Sequence, residues 1–164
     1  TSSVFIYWGS AMRYPSAKAV ILGAGVVGRA LARQIVARTK GRVEVLAMCD
    51  STGAFASREL AKATPLSSEK VLQACEYKEN GNSLEGAPEG YGRKLNSLEL
   101  VMGCPETRDE SKSGATIVVD ASASLDTVPA LKLAVARGFR VCSANKKPFA
   151  DAPQAVFDEL TRWP

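Results

Sequence analysis

Three glycines, Gly23, Gly25 and Gly28, constrain this chain more than any other feature of it. They follow the apolar run Lys18-Ala-Val-Ile-Leu22 and stand in the G-x-G-x-x-G spacing of a dinucleotide-binding loop. Each glycine has a physical reason. Gly23 lets the chain turn sharply off a strand, and Gly25 removes the side chain that would collide with a pyrophosphate. Gly28 lets the following helix pack close against that strand. The helix N-terminus then offers free N–H groups and a partial positive charge to phosphates. The same spacing also arises in purely structural strand-to-helix turns, so the surrounding chain has to supply the context.

That context is a run of alternating elements. Val26 to Thr39 reads as a helix with Val27, Ala30, Leu31, Gln34 and Ile35 on one face and Arg29, Arg33 and Arg38 on a solvated side. Lys40-Gly41 is its cap and turn. Val43-Glu-Val-Leu-Ala-Met-Cys-Asp50 is a second strand, nearly all apolar, as a strand covered on both faces should be. It ends in Asp50, 22 residues after Gly28. An acid at that place accepts hydrogen bonds from an adenosine ribose; the competing reading is that Asp50 merely starts the turn Asp50-Ser-Thr-Gly53. An acid favours NAD over NADP, yet Arg58 follows and offers a phosphate partner, so both dinucleotides stay open.

Thr64 to Cys75 predicts a second helix, with Pro65 in its first turn and Thr64 as cap. Residues 80–114 are rich in Gly and Pro and end in the charged run Glu106–Lys112. They read as a surface insertion at the sheet edge, with a short ordered piece around Leu95–Met102. Ala115-Thr-Ile-Val-Val-Asp-Ala-Ser122 is a third buried strand whose small residues, Ser122 among them, leave room for a nicotinamide. Asp126 to Arg137 is a helix ended by Gly138, Phe139 to Ala144 a strand, and Ala152 to Thr161 a last helix capped by Asp151.

Strands alternating with helices predict an α/β fold: a doubly wound parallel sheet of Rossmann type with helices on both faces. Right-handed crossovers put all strand C-termini on one edge. Gly23–Gly28, Asp50, Ser122 and Asn145–Lys147 therefore converge there.

Composition narrows the chemistry. The chain has no histidine, which excludes a Ser-His or Cys-His nucleophile pair and a histidine-containing zinc site within its 164 residues; no metal site is expected. Four cysteines without C-x-x-C spacing read as buried free thiols, Cys49 and Cys142 lying in strand-like runs. A net charge of +4, spread along the chain, gives no nucleic-acid signature. No apolar run approaches the roughly 20 residues of a membrane span. Residues 1–17 read as a disordered leader before a domain over 18–164, with Met12 a candidate natural start. The expected compartment is cytoplasmic, or a plastid if a transit peptide has been trimmed.

Two adjacent lysines directly after a buried strand have a bland account, a solvated turn stopped by Pro148. They also have a functional one, in which a lysine holds an anionic group or steadies a reacting oxygen. Ser143-Ala-Asn-Lys-Lys-Pro148, with Ile21–Gly28, Val43–Asp50 and Val118-Val-Asp-Ala-Ser122, resembles the N-terminal nucleotide-binding domain of homoserine dehydrogenase. The resemblance runs from about Lys18 to the C-terminal helix and is weakest over 80–114.

That family reduces aspartate semialdehyde to homoserine with NADH or NADPH, on the route to threonine, methionine and isoleucine. The resemblance implies that Gly23, Gly25, Val26, Val27 and Gly28 hold the pyrophosphate and that Asp50 lies near the ribose. It implies Ser122 near the nicotinamide, and Lys146 near nicotinamide and substrate as the catalytic residue. The family often has threonine or asparagine where this chain has Ala121-Ser122. It also carries a substrate and dimerisation domain beyond the last helix seen here, so this chain is expected to be the cofactor part of a homodimeric enzyme, inactive alone. A related dehydrogenase of the aspartate dehydrogenase type and a non-catalytic NAD(H)-sensing module are the alternatives.

Overall fold

The sequence puts its most apolar runs in the middle of the sheet, and the computed structural model, which describes residues 15–106 and 114–161, is built around them. Strands β1 (Ala17–Leu22), β2 (Val43–Cys49), β3 (Ala54–Ala56), β4 (Gly92–Arg93), β5 (Thr116–Asp120) and β6 (Arg140–Ser143) form one sheet in the order β4-β3-β2-β1-β5-β6. The strands β2, β1, β5 and β6 run parallel. The fold is a mixed α/β domain of Rossmann-like architecture, with β1 at its centre and the order of winding reversing between β1 and β5.

Helices cover both faces. On one, α1 (Val26–Arg38) and α2 (Ser68–Glu79) pack on Ile21, Met48 and Phe55. On the other, α3 (Ser97–Gly103) and α4 (Val128–Ala136) place Leu100, Val101 and Leu131 against Val20, Leu22 and Leu46. Every one of these apolar side chains is almost wholly removed from water. Each fully buried leucine among them contributes roughly 2 kcal/mol to the core. The short α5 (Lys147–Ala150) and α6 (Gln154–Thr161) complete the chain.

The structure departs from the sequence reading in several places. Two further strands extend the sheet beyond β2, β3 pairing antiparallel with β2 and β4 antiparallel with β3. The described part of the expected insertion, 80–106, is not a surface insertion: Leu84, Leu100 and Val101 are fully buried and β4 forms the sheet edge, while the ordered piece expected around Leu95–Met102 is α3, which roofs one face. That helix carries a capping box, in which the Asn96 side chain accepts from Glu99 N–H and the Glu99 carboxylate accepts from Asn96 N–H, both at 2.9 Å. The charged run falls largely at 107–113, outside the described residues, as do residues 1–14 of the leader; β1 itself begins at Ala17.

Helix α2 begins at Ser68, not at Pro65, because Leu66 N–H donates to the Val45 carbonyl at 2.8 Å and holds that segment against the sheet. Ser67 caps the helix instead, accepting from Lys70 N–H. Asp151 closes α5 rather than capping the last helix, which starts at Gln154. Arg29 and Arg33 are not simply solvated. Arg33 makes a two-pronged contact with Glu79 at 2.7 Å, and the Arg29 side chain, 16% exposed, lies 3.6 Å from the same carboxylate. All four cysteines are free thiols; Cys142 is exposed, whereas burial pushes Cys49 and Cys104 up to about 12.

The face of α1 is rotated from the one expected. Gly28, Ala32 and Ile35 are buried, while Val27, Ala30 and Gln34 are exposed. The cause is the seat of Gly28, where a Cβ would overlap the Gly23 carbonyl oxygen. Replacing Gly28 with alanine therefore has to push α1 off β1. We expect Gly28→Ala to lower unfolding free energy by about 3 kcal/mol in urea denaturation.

Candidate functional site

Parallel packing delivers Asp50, Gly23, Ser122 and Lys146 to one edge of the sheet, after β2, β1, β5 and β6 respectively. At about 4.8 Å per strand, the row spans on the order of 14 Å. A cleft of about 420 Å³ opens along it. Its lining includes Gly23, Asp50, Ser51, Leu98, Ser122 and Ser124; Gly25, Val26, Val27, Gly28 and Lys146 lie outside that lining.

The three glycines of the loop have different surroundings. Gly23 has φ +99°, and a Cβ there would sit 2.6 Å from the Ser122 nitrogen, so it joins the ends of β1 and β5 across the point where the winding reverses. Gly28 is closed by Gly23, as described above. Gly25 meets nothing: a Cβ built on it has no protein atom within 4 Å, and its φ of −70° suits any residue. It is the N-cap of α1, and the helical ladder starts only at Arg29 N–H, which donates to the Gly25 carbonyl at 3.0 Å. The N–H groups of Val26, Val27 and Gly28 precede that first bond and have no intrahelical acceptor. Val26 and Val27 are themselves exposed, at 77% and 55%.

Asp50 behaves as a turn residue. Its Oδ1 accepts from Thr52 N–H at 2.8 Å, Thr52 Oγ1 at 2.6 Å and Gly53 N–H at 2.9 Å. Its Oδ2 accepts from Leu84 N–H at 3.2 Å and pairs with the Lys78 ammonium at 2.7 Å. Five donors fill the roughly four lone-pair positions a carboxylate offers, and its side chain is only 6% exposed. Burial pushes its carboxyl up, but the hydrogen bonds from Lys78, Thr52 and Gly53 outweigh it and hold it well below the usual carboxylate range. The ribose role expected for it would have to displace one of these donors.

A second polar cluster of the edge escaped sequence reasoning. Asp120 ends β5 fully buried and accepts from Ser122 N–H at 3.0 Å, Thr127 Oγ1 at 2.8 Å and Asn145 Nδ2 at 3.0 Å. The Asn145 amide also donates to the Ser124 carbonyl at 2.7 Å and to Ser122 Oγ at 3.2 Å. Its Oδ1 accepts from Lys147 N–H at 3.2 Å. One buried amide thus ties the turn after β6 to the turn after β5 and fixes where Lys146 leaves the sheet. The available signal was a carboxylate at the end of the apolar run Ile117-Val-Val-Asp120.

Lys146 itself is exposed at the N-cap of α5. Among the described residues its ammonium has neither an ion pair nor a hydrogen-bond partner. It is a cation available to an incoming anionic or polarised oxygen. Among the described residues, no group of three or more His, Cys, Asp and Glu side chains is placed to hold a metal ion, and no helix is long and apolar enough to cross a membrane.

No family model matches the chain, and no curated protein matches it. The crystal structure of a protein of unknown function from Candida auris is similar to it, with a TM-score of 0.61 and 20% sequence identity. The likeness covers 88% of this chain and 34% of that one, so the chain spans about a third of that protein's length. It shows the fold alone.

The buried amide is directly testable. Asn145→Ala strips one donor from the buried Asp120 carboxylate and empties the link to Ser124. A loss of about 2 kcal/mol in chemical denaturation is expected.

Proposed function

We propose that this domain binds NADH or NADPH across its C-terminal sheet edge, as the cofactor part of a dehydrogenase related to homoserine dehydrogenase. The observation that carries the reading is the contrast within the glycine loop. Gly23 and Gly28 are glycines because protein backbone presses on them. Gly25 is a glycine with only open space in front of it, beside three N–H groups without intrahelical acceptors. Packing explains the first two and not the third; a pyrophosphate approaching the backbone explains it.

In this reading the N–H groups of Val26, Val27 and Gly28 hold the pyrophosphate, reinforced by the positive end of the thirteen-residue α1. The cleft between Ser51 and Ser124 takes an extended ligand arm along the strand ends. Ser122, its hydroxyl positioned by Asn145, stands beside the nicotinamide. NAD(P)H, when bound, supplies the hydride. Lys146 would offer its exposed ammonium to the negative charge that develops on the aldehyde oxygen of aspartate semialdehyde as the hydride adds, and a proton from solvent would complete the alcohol of homoserine. Residues that grip the amino-acid substrate and join two subunits belong, in this reading, to a further domain, so turnover is a property of the longer protein.

Two substitutions test the assignment. Gly25→Val is expected to abolish NADH binding in a fluorescence titration while unfolding free energy stays within about 1 kcal/mol. Unchanged affinity contradicts the loop assignment. In the full-length protein, Lys146→Ala is expected to lower kcat roughly 100-fold without a shift in Tm. A loss of folding would instead assign the lysine a structural role.

A further inference from the structure

An acid at the end of the second strand discriminates between the two dinucleotides by two effects. It accepts hydrogen bonds from the ribose hydroxyls, and its charge repels a 2′-phosphate. Both need a carboxylate with vacant lone pairs and an uncompensated charge. Asp50 has neither. Thr52, Gly53 and Leu84 occupy its oxygens, and Lys78 lies at 2.7 Å.

Lys78 comes from the last turn of α2, 28 residues along the chain from Asp50. The segment that follows α2 supplies the Leu84 N–H, so helix and turn close on the carboxylate together. The two partners are unequally covered: the Asp50 side chain is 6% exposed and that of Lys78 26%. Lys78 lies outside the cleft lining and reaches Asp50 from the α2 side, so a phosphate approaching Asp50 from the cleft meets a carboxylate already compensated from behind by the cation. Coulomb repulsion from the carboxylate is cancelled at short range by an ammonium at contact distance.

We propose that Lys78 sets the cofactor selectivity of this edge: by pairing with Asp50 it removes the charge that would exclude a 2′-phosphate, so NADPH is accepted as readily as NADH. The inference rests on the dinucleotide reading given above. It assigns the acid, which by position alone argues for NAD, to a role inside the fold, and makes a lysine on the second helix the residue that cancels its discrimination.

The test is a side-by-side titration of the chain with NADH and NADPH. For the wild type the two Kd values are expected within about fivefold of each other. Lys78→Met uncovers the carboxylate and is expected to weaken NADPH alone, taking the ratio beyond about fivefold in favour of NADH. Lys78→Arg keeps the charge and the wild-type ratio. If Lys78→Met fails to fold, Lys78→Gln, which removes the charge but keeps a hydrogen-bond donor for Asp50, is expected to give the same shift towards NADH, and an unchanged ratio in it overturns the proposal. A wild-type preference for NADH beyond about fivefold, or a Lys78→Met ratio equal to that of the wild type, overturns the proposal and leaves the dinucleotide reading standing. Binding of neither dinucleotide by the wild type overturns both.

Discussion

The contact between Gly28 and the Gly23 carbonyl sets the geometry on which the rest of the sheet edge depends. Without a side chain at Gly28, α1 settles directly on the end of β1, which leaves its first N–H groups at that edge. Gly23, held at φ +99°, then brings the β1 turn into contact with the backbone of Ser122. A helix N-terminus and two strand ends are thereby fixed against one another by backbone packing alone. Nothing in that arrangement needs a ligand to hold it, which is what a preorganised binding edge requires.

A second constraint acts on both sides of β1. Two buried carboxylates, Asp50 and Asp120, end adjacent-but-one strands, and each is satisfied from within the chain. Asp50 is held partly by a lysine and Asp120 by an amide, a hydroxyl and a backbone N–H. They knit the loops at the strand ends: Asp50 to the turn at Leu84, Asp120 to the turn at Asn145. Two exposed lysines, Lys146 and Lys147, follow directly on the residue that the second of these networks immobilises.

The parallel core was legible because β1, β2 and β5 are nearly continuous apolar runs and the glycine spacing marks where the first of them ends. The antiparallel extension was not, because β3 has three residues and β4 two, too few to show any period. Residues 80–114 misled for a related reason. Their glycines and prolines signal turns correctly, but the buried Leu84, Leu100 and Val101 are spread between those turns and leave no long pattern. Gly23 to Gly28, Asp50, Ser122 and Lys146 could be placed on one edge from topology. The partners of Asp50 could not, since Lys78 and Leu84 meet it only through the tertiary fold. Asp120 was visible as a strand end, but its bond to Asn145 spans 25 residues.

The central claim is that the N-terminus of α1 receives the pyrophosphate of a dinucleotide. Its most direct measurement is an NMR titration of the isotope-labelled chain with NADH, following backbone amides. The account predicts that the largest shifts fall on Val26, Val27 and Gly28, with Ser122 and Ser51 moving along the same saturating curve. Saturable shifts confined to other surfaces, or amides of Val26 to Gly28 that stay fixed at millimolar NADH, would contradict it.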